Sequence, residues 1–263
     1  EGTQGEVWKG RFHEEYVAIK MLAEQYRMLK REVGSMGVTD VTADIEREMA
    51  ALMRMKHQNL VTFLGTGCWS DGTRFILLQY MARGSLRENL DDPGQEMKWA
   101  WKLQVLKDAA NGMDYIHKLN RIHCDLKSPN LLVSASGTCK VADFGQITQE
   151  SGEWEHAGSP LWIGPEVIQK EQRTKAIDVY AFGIIMWEVY TRNYPWDGLS
   201  LEQVFVAVCA GTRPTVPDEA SYHERPKRYC DLMKRCWSHK VVDRPTFTEV
   251  NTTLQVLERS SLA

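Results

Sequence analysis

The chain has 263 residues, of which 43% are hydrophobic and 25% charged, with a formal net charge of -3 at pH 7. This is the balance of a globular chain long enough for one large domain or two unequal lobes, and it excludes disordered, fibrous and membrane classes. A slightly negative net charge does not favour binding to nucleic acid or to an acidic membrane surface. The six cysteines show no C-x-x-C spacing, so we expect neither zinc nor disulfides, and a cytoplasmic setting.

Strand signals come first and helix signals later. The apolar and aromatic runs 16–20, 59–64 and 74–81 predict strands, and Gly65, Gly67 and the Asp71-Gly72 pair predict turns. Beyond about residue 84, apolar residues step by three and four along 103–113, 179–189 and 247–257, which predicts helices that each bury one face. Thr246 and Glu249 predict a capping box at the start of the last helix. The apolar run 179–190 is about half the length of a membrane span and contains Glu188.

Glycines at the start of the chain indicate a phosphate-binding turn. Gly2, Gly5 and Val7 fit the tail of the pattern G-x-G-x-x-G-x-V, in which glycine lets backbone N–H groups approach phosphate oxygens. The first glycine of the pattern would precede Glu1, so we expect the first strand to be truncated. An ordinary glycine turn between strands stays open as the alternative.

A lysine and a glutamate form a candidate ion pair. Ala18 and Lys20 share one face of the strand 16–20, where a small residue beside a cation leaves space for a flat base next to a phosphate. Glu48 lies on the apolar stripe of a helix predicted within 43–55, and a carboxylate there is costly unless it is paired. Lys20 is its natural cation. A solvated edge lysine and a boundary glutamate that reaches water remain the alternatives.

The segment 123–130, His-Cys-Asp-Leu-Lys-Ser-Pro-Asn, is the most specific feature of the sequence. Asp125 can accept a proton, Lys127 can neutralise a transferring phosphoryl group, and Asn130 offers a neutral oxygen to a hard cation. Asp143 follows, next to Phe144 and Gly145, and can bind the metal ion that bridges phosphates. An isolated Asp-Phe-Gly would be an ordinary turn.

Taken in this order, the motifs resemble the eukaryotic protein kinases over essentially the whole chain. The resemblance implies a bilobal α+β fold across 1–263, with a β-rich N-lobe at 1–81 carrying one helix and a mainly helical C-lobe at 82–263. It also implies transfer of the γ-phosphoryl group of ATP to protein hydroxyls, with Mg²⁺ as the metal and Mn²⁺ as an alternative. The implied partners are ATP and protein substrates. The charge and the apolar runs predict no nucleic acid and no membrane within this fragment, and the oligomeric state is open.

The resemblance also gives residues their roles. Asp125 is the base and Lys127 its neighbour; Lys20, positioned by Glu48, holds the α- and β-phosphates, and Asn130 and Asp143 hold the metal. The residues implied to line the nucleotide site are Gly2, Gly5, Val7, Ala18, Gln79, Met81 and Leu132, with Leu78 at the rear of the pocket. A column of Leu52, Phe63, His123 and Phe144 on Asp178, and an ion pair of Glu166 with Arg244, are implied to be structural.

The run 178–183, Trp162 and the pair Cys236-Trp237 look most like the tyrosine-kinase-like group, and Lys127 with Ser159 resembles the Ser/Thr pattern. Dual or tyrosine specificity stays open, as do a pseudokinase scaffold and a small-molecule phosphotransferase. Three departures stand out: Cys124 replaces the usual arginine, the interval from Lys20 to Glu48 is long, and Gly164 replaces an alanine. Cys124 and the acidic loop 146–157 predict activity without loop phosphorylation; a small packing residue is the alternative for Cys124.

Overall fold

The computed structural model describes residues 7–21, 53, 55–71, 74–150, 158–217 and 227–261. The chain divides into two compact units, Glu1–Ala82 and Arg83–Ala263. The described part of the first unit consists mainly of sheet, and the second holds most of the helices, so the expected α+β class is confirmed.

The first unit contains a four-stranded antiparallel sheet. Its strands are β1 (Val7–Phe12), β2 (Glu15–Met21), β3 (Phe63–Cys68) and β4 (Arg74–Gln79), in the order β1-β2-β4-β3. The strands predicted at 16–20 and 74–81 are confirmed, although β4 ends at Gln79. Val17 is buried at 2% exposure on the central strand β2, as expected for a β-branched residue with strands on both sides.

The strand predicted at 59–64 is confirmed only at Phe63 and Leu64, and the turns predicted at Gly65 and Gly67 are wrong. Strand β3 begins only at Phe63 and contains both glycines. A Cβ at position 67 would lie 2.2 Å from the Phe75 ring, on the opposite strand. Glycine therefore allows the ring to pack against the backbone here and makes no turn.

Helices dominate the described part of the second unit. They are α1 (Leu86–Asp91), α2 (Trp99–Lys118), α3 (Pro165–Ile168), α4 (Ala176–Thr191), α5 (Leu201–Cys209), α6 (Lys227–Cys236) and α7 (Phe247–Ser261). Two strand pairs accompany them: β5 (Arg121–Ile122) with β8 (Thr148–Gln149), and β6 (Leu131–Val133) with β7 (Cys139–Val141). Short 3₁₀ turns occupy Ser128–Asn130, Pro160–Trp162 and Val241–Asp243.

Helices α2 and α7 pack together through the faces that their spacing predicts. The buried positions of α2 include Leu103, Leu106, Ala110 and Met113, each at most 1% exposed, and those of α7 are Phe247, Val250, Leu254 and Leu257. The predicted capping box is confirmed: the Glu249 N–H donates to the Thr246 hydroxyl over 3.3 Å, and the Thr246 N–H donates to the Glu249 carboxylate over 2.7 Å. The box satisfies two backbone donors at the start of the helix.

Helix α4 departs from the single buried face that was predicted. Every residue from Ile177 to Thr191 is buried, including Asp178 and Glu188. A helix that is apolar on all sides lies inside the core, and the two carboxylates inside it must find partners there. Among the described helices, none is long and apolar enough to cross a bilayer.

Candidate active site

The side chains of Asp125, Lys127 and Ser159, all in the second unit, form a triangle of mutual contacts. The Lys127 ammonium lies 2.9 Å from Asp125 Oδ2, and the Ser159 hydroxyl donates to Asp125 Oδ1 over 2.7 Å. Lys127 Nζ also donates to Ser159 Oγ over 2.7 Å. The Asp125 side chain is only 3% exposed, so a carboxylate with a fixed direction and two charge-assisted contacts lies at a nearly dry position.

Asn130 fixes the same carboxylate from the other side. It ends the 3₁₀ turn Ser128–Asn130, and its Nδ2 donates to the Asp125 backbone oxygen over 2.8 Å and to Asp125 Oδ2 over 3.1 Å. With the amide nitrogen directed at Asp125, the amide oxygen is the atom of Asn130 that a cation could use.

Asp143 lies at the same end of the small sheet as Asn130. Strands β6 and β7 are antiparallel and pair Leu131 with Val141, and the Ala142 N–H donates to the Asn130 backbone oxygen over 2.9 Å. Asp143 comes next, with a left-handed φ of 60° that is unusual for a residue other than glycine. One carboxylate and one amide oxygen at a shared strand end fit a hard divalent cation.

The backbone that precedes Asp125 is held by Asp178 of α4. The carboxylate of Asp178 accepts the His123 N–H over 2.8 Å and the Cys124 N–H over 3.0 Å, and lies 2.8 Å from His117 Nε2. His123 Nδ1 accepts the Asp125 N–H over 3.3 Å, so its Nε2 carries the hydrogen and donates to the Ala142 oxygen over 3.0 Å. This neutral tautomer links the segments before Asp125 and Asp143.

His123 and Phe144 pack edge to face, with ring centroids 5.8 Å apart. These two members of the implied column are therefore in contact, and the backbone of His123 is bonded to Asp178. Phe63 belongs to the first unit, and Leu52 lies outside the described residues.

Cys124 occupies a tight, mainly apolar position. It packs against the cluster of Ile122, Ile163, Val167 and Ile177 and has a φ of 67°. Burial, followed by the negative charges of Asp178 and Asp125, raises the pKa of its thiol to about 12, while Arg173 acts in the opposite direction. The thiol is therefore a packing group and a poor nucleophile.

Gly158 also contacts this position closely. A Cβ at residue 158 would lie 2.6 Å from the Cys124 carbonyl oxygen, and the glycine has a φ of 73°. The backbone that leads to Ser159 thus lies directly against the backbone that leads to Asp125, which only glycine permits.

Four of the predicted nucleotide residues of the first unit, Val7, Ala18, Lys20 and Gln79, lie in strands of its sheet. Cross-strand pairing of Val7 with Lys20, and of Lys9 with Ala18, places Val7, Ala18 and Lys20 on one face. Gln79 ends β4, and Met81 is buried at 6% exposure. Leu132 lies in β6 of the other unit. The remaining predicted residues, Gly2, Gly5 and Glu48, lie outside the described residues.

Glu166 and Arg244 form a buried bidentate ion pair, as the resemblance implied. The two guanidinium-to-carboxylate distances are 2.5 and 2.8 Å, and the side chains are at most 2% exposed. A Cβ at Gly164 would lie 2.6 Å from a Glu166 carboxylate oxygen. The glycine that replaces the usual alanine therefore makes room for this carboxylate.

Sequence reasoning missed the role of Glu188. Its carboxylate is completely buried and accepts hydrogen bonds from Arg87, Ser128 and Trp162. The signal was present, since a charge inside an apolar helix must be paired. Its partners lie far apart in the sequence, and nothing local indicates them.

The sequence matches the family described as protein tyrosine and serine/threonine kinase over residues 1–254. The chain belongs to this family. It is 36% identical over 253 residues to the probable serine/threonine-protein kinase drkD of Dictyostelium discoideum, covering 95% of the chain and 18% of that protein.

Two further relatives are similar over nearly the whole chain. The dual specificity protein kinase shkA of Dictyostelium discoideum is 33% identical, covering 97% of the chain and 47% of that protein. The probable serine/threonine-protein kinase SIS8 of Arabidopsis thaliana is 30% identical, covering 98% of the chain and 24% of that protein. The chain spans less than half the length of each of these relatives.

Proposed function

We propose that the chain is the catalytic domain of a protein kinase that transfers the γ-phosphoryl group of ATP to serine and threonine hydroxyls of proteins. The observation that carries this proposal is the triangle of Asp125, Lys127 and Ser159. It joins a proton acceptor and a cation through a hydroxyl, as the Ser/Thr pattern requires. The names of drkD and SIS8 support the same specificity.

In this reaction Asp125 receives the proton of the substrate hydroxyl. The substrate oxygen forms a bond to the γ-phosphorus while the bond to the β,γ-bridging oxygen breaks, and ADP leaves. Lys127, which lies 2.9 Å from Asp125, offsets negative charge on the transferring group. Asn130 directs the base by donating to its carboxylate.

Resemblance to the kinases assigns the nucleotide to residues named from the sequence. Lys20 is assigned to the α- and β-phosphates with Glu48 as its partner, and Gly2 and Gly5 are assigned to the phosphates as well. Asn130 and Asp143 would hold Mg²⁺, or Mn²⁺ as the alternative. The metal, when bound, neutralises charge on the phosphate oxygens. The residues assigned to the adenine are Val7, Ala18, Gln79, Met81 and Leu132. The proposed lobes are 1–81 and 82–263, and the division of the chain after Ala82 supports this boundary.

We assign the chain to the tyrosine-kinase-like group, with activity that does not depend on loop phosphorylation. Cys124 packs against aliphatic side chains and offers no cation to a phosphate. Phosphatase treatment, or Thr148→Ala with Ser151→Ala, should leave turnover unchanged, and a loss of turnover would contradict this proposal. All six cysteines are free, which supports the cytoplasmic setting.

Incubation with radiolabelled ATP, Mg²⁺ and an arrayed peptide library tests the function. The wild type should label peptides, and Asp125→Asn and Lys20→Met should not. Transfer by the wild type no greater than that of Asp125→Asn would overturn the proposal in favour of a scaffold. Labelling of small alcohols alone would indicate a small-molecule phosphotransferase.

Analysis of the labelled amino acids then identifies the hydroxyl. Phosphoserine and phosphothreonine are expected, and phosphotyrosine alone would refute the specificity. Phosphotyrosine together with the other two would instead show dual specificity, the activity named for shkA.

A further inference from the structure

Three donors from separate parts of the second unit converge on the buried carboxylate of Glu188. Arg87 of α1 donates to Oε1 over 2.9 Å, the Ser128 hydroxyl donates to the same oxygen over 2.7 Å, and Trp162 Nε1 donates to Oε2 over 2.8 Å. All three partners supply hydrogens. Three donors around one side chain fit an ionised carboxylate, because a protonated carboxylic acid would need an acceptor for its own hydrogen.

A carboxylate inside α4 opposes the burial of an otherwise apolar helix. Burial raises the pKa of Glu188 above its ordinary value, and the hydrogen bonds from Ser128 and Trp162 and the charge of Arg87 offset this rise only in part. Arg87 by itself could balance the charge. Ser128 and Trp162 are additional partners, and both belong to the turns that form the candidate site.

These two turns carry the side chains on either side of Asp125. Ser128 follows Lys127 directly and opens the 3₁₀ turn that ends at Asn130. Trp162 ends the turn that begins after Ser159, and the backbone N–H of Trp162 donates to the backbone oxygen of Ser159 over 3.0 Å. Glu188 therefore joins both turns through its two oxygens.

We propose that Glu188 is a positioning residue for phosphoryl transfer, which holds the two turns so that Lys127 and Ser159 both reach Asp125. The inference rests on the proposed function and deepens it. Glu188 does not touch the reacting groups and acts through Ser128 and Trp162. The triangle has short contacts on every side, so a small shift of either turn lengthens at least two of them.

Two conservative substitutions each remove one of the hydrogen bonds that Ser128 and Trp162 donate to Glu188. Ser128→Ala removes the hydroxyl, and Trp162→Phe removes the indole N–H while keeping an aromatic ring. Each should lower the single-turnover rate constant for peptide phosphorylation by about tenfold, with the KM for ATP unchanged. In the double variant the rate constant should fall by less than the product of the two single fold-changes, because both hydrogen bonds to Glu188 hold the same triangle.

Lys107→Met provides the matched control. It removes the ion pair of Lys107 with Glu258, 2.6 Å long, which joins α2 to α7 in the same unit. Its single-turnover rate should equal that of the wild type at temperatures well below its melting transition, which separates a loss of stability from a loss of positioning.

Wild-type single-turnover rates in both Ser128→Ala and Trp162→Phe, measured under the same conditions, would overturn the positioning role. A raised KM for ATP with an unchanged rate constant would do so too. If Trp162→Phe does not fold, Ser128→Ala decides alone. A wild type that labels no peptide would instead refute the proposed function, so the two failures are distinguishable.

Discussion

Removal of one partner from the Glu166–Arg244 pair should destabilise the second unit strongly. Both side chains are at most 2% exposed, and Arg244 also donates to the backbone oxygens of Ser238 over 2.9 Å and Ala176 over 3.0 Å. Arg244→Met leaves the Glu166 carboxylate buried without its cation, which costs about 3–5 kcal/mol. At roughly 2–4 °C for each kcal/mol in a domain of this size, the melting temperature should fall by about 10 °C.

Urea unfolding and calorimetry measure this loss, and a double variant provides the control. Glu166→Leu combined with Arg244→Met removes both charges, so it should be more stable than Arg244→Met alone. A loss below about 1 kcal/mol in Arg244→Met, or a double variant no more stable than the single one, would refute the electrostatic reasoning.

Three further changes follow from close contacts. Gly164→Ala should cost about 1–3 kcal/mol in urea unfolding, because its Cβ would displace a Glu166 oxygen that lies 2.6 Å away; unchanged stability would contradict this. The Cys124 thiol, with its pKa raised to about 12, should react with maleimide at pH 7.5 about a thousandfold more slowly than an ordinary thiol, and mass spectrometry that finds it labelled as fast as the exposed Cys68 would refute the packing role. Leu78→Thr should strengthen binding of inhibitors that need the rear of the proposed nucleotide site, and equal affinities by calorimetric titration would show that Leu78 does not block them.

The sequence predicted elements well where the local pattern had a single physical reading. The stripes of α2 and α7 and the Thr246–Glu249 cap are local, since neighbouring residues determine them. The positions of Gly65 and Gly67 were not predictable in this way. Gly67 lies in a strand because the Phe75 ring needs the space, and that partner is chosen by strand pairing, which depends on the whole sheet.

In the candidate site too, the local features could be predicted from the sequence and the long-range contacts could not. Asp125, Lys127 and Asn130 lie within one short segment, and the structure brings their side chains together. Ser159 was placed with them only by resemblance to kinases. Glu188 could be recognised from its sequence only as a charge in need of partners, since its donors Arg87 and Trp162 come from distant segments.

The two buried carboxylates of α4 give that helix its place in the proposed chemistry. Asp178 holds the backbone before Asp125, and Glu188 holds the turns that follow Lys127 and Ser159. At a rise of about 1.5 Å per residue, the two carboxylates attach about 15 Å apart along one rigid axis. An apolar helix that carries only these two acids inside the core therefore holds the backbone on both sides of Asp125. A leucine would cost less to bury at either position, and this holding role explains why each charge is tolerated.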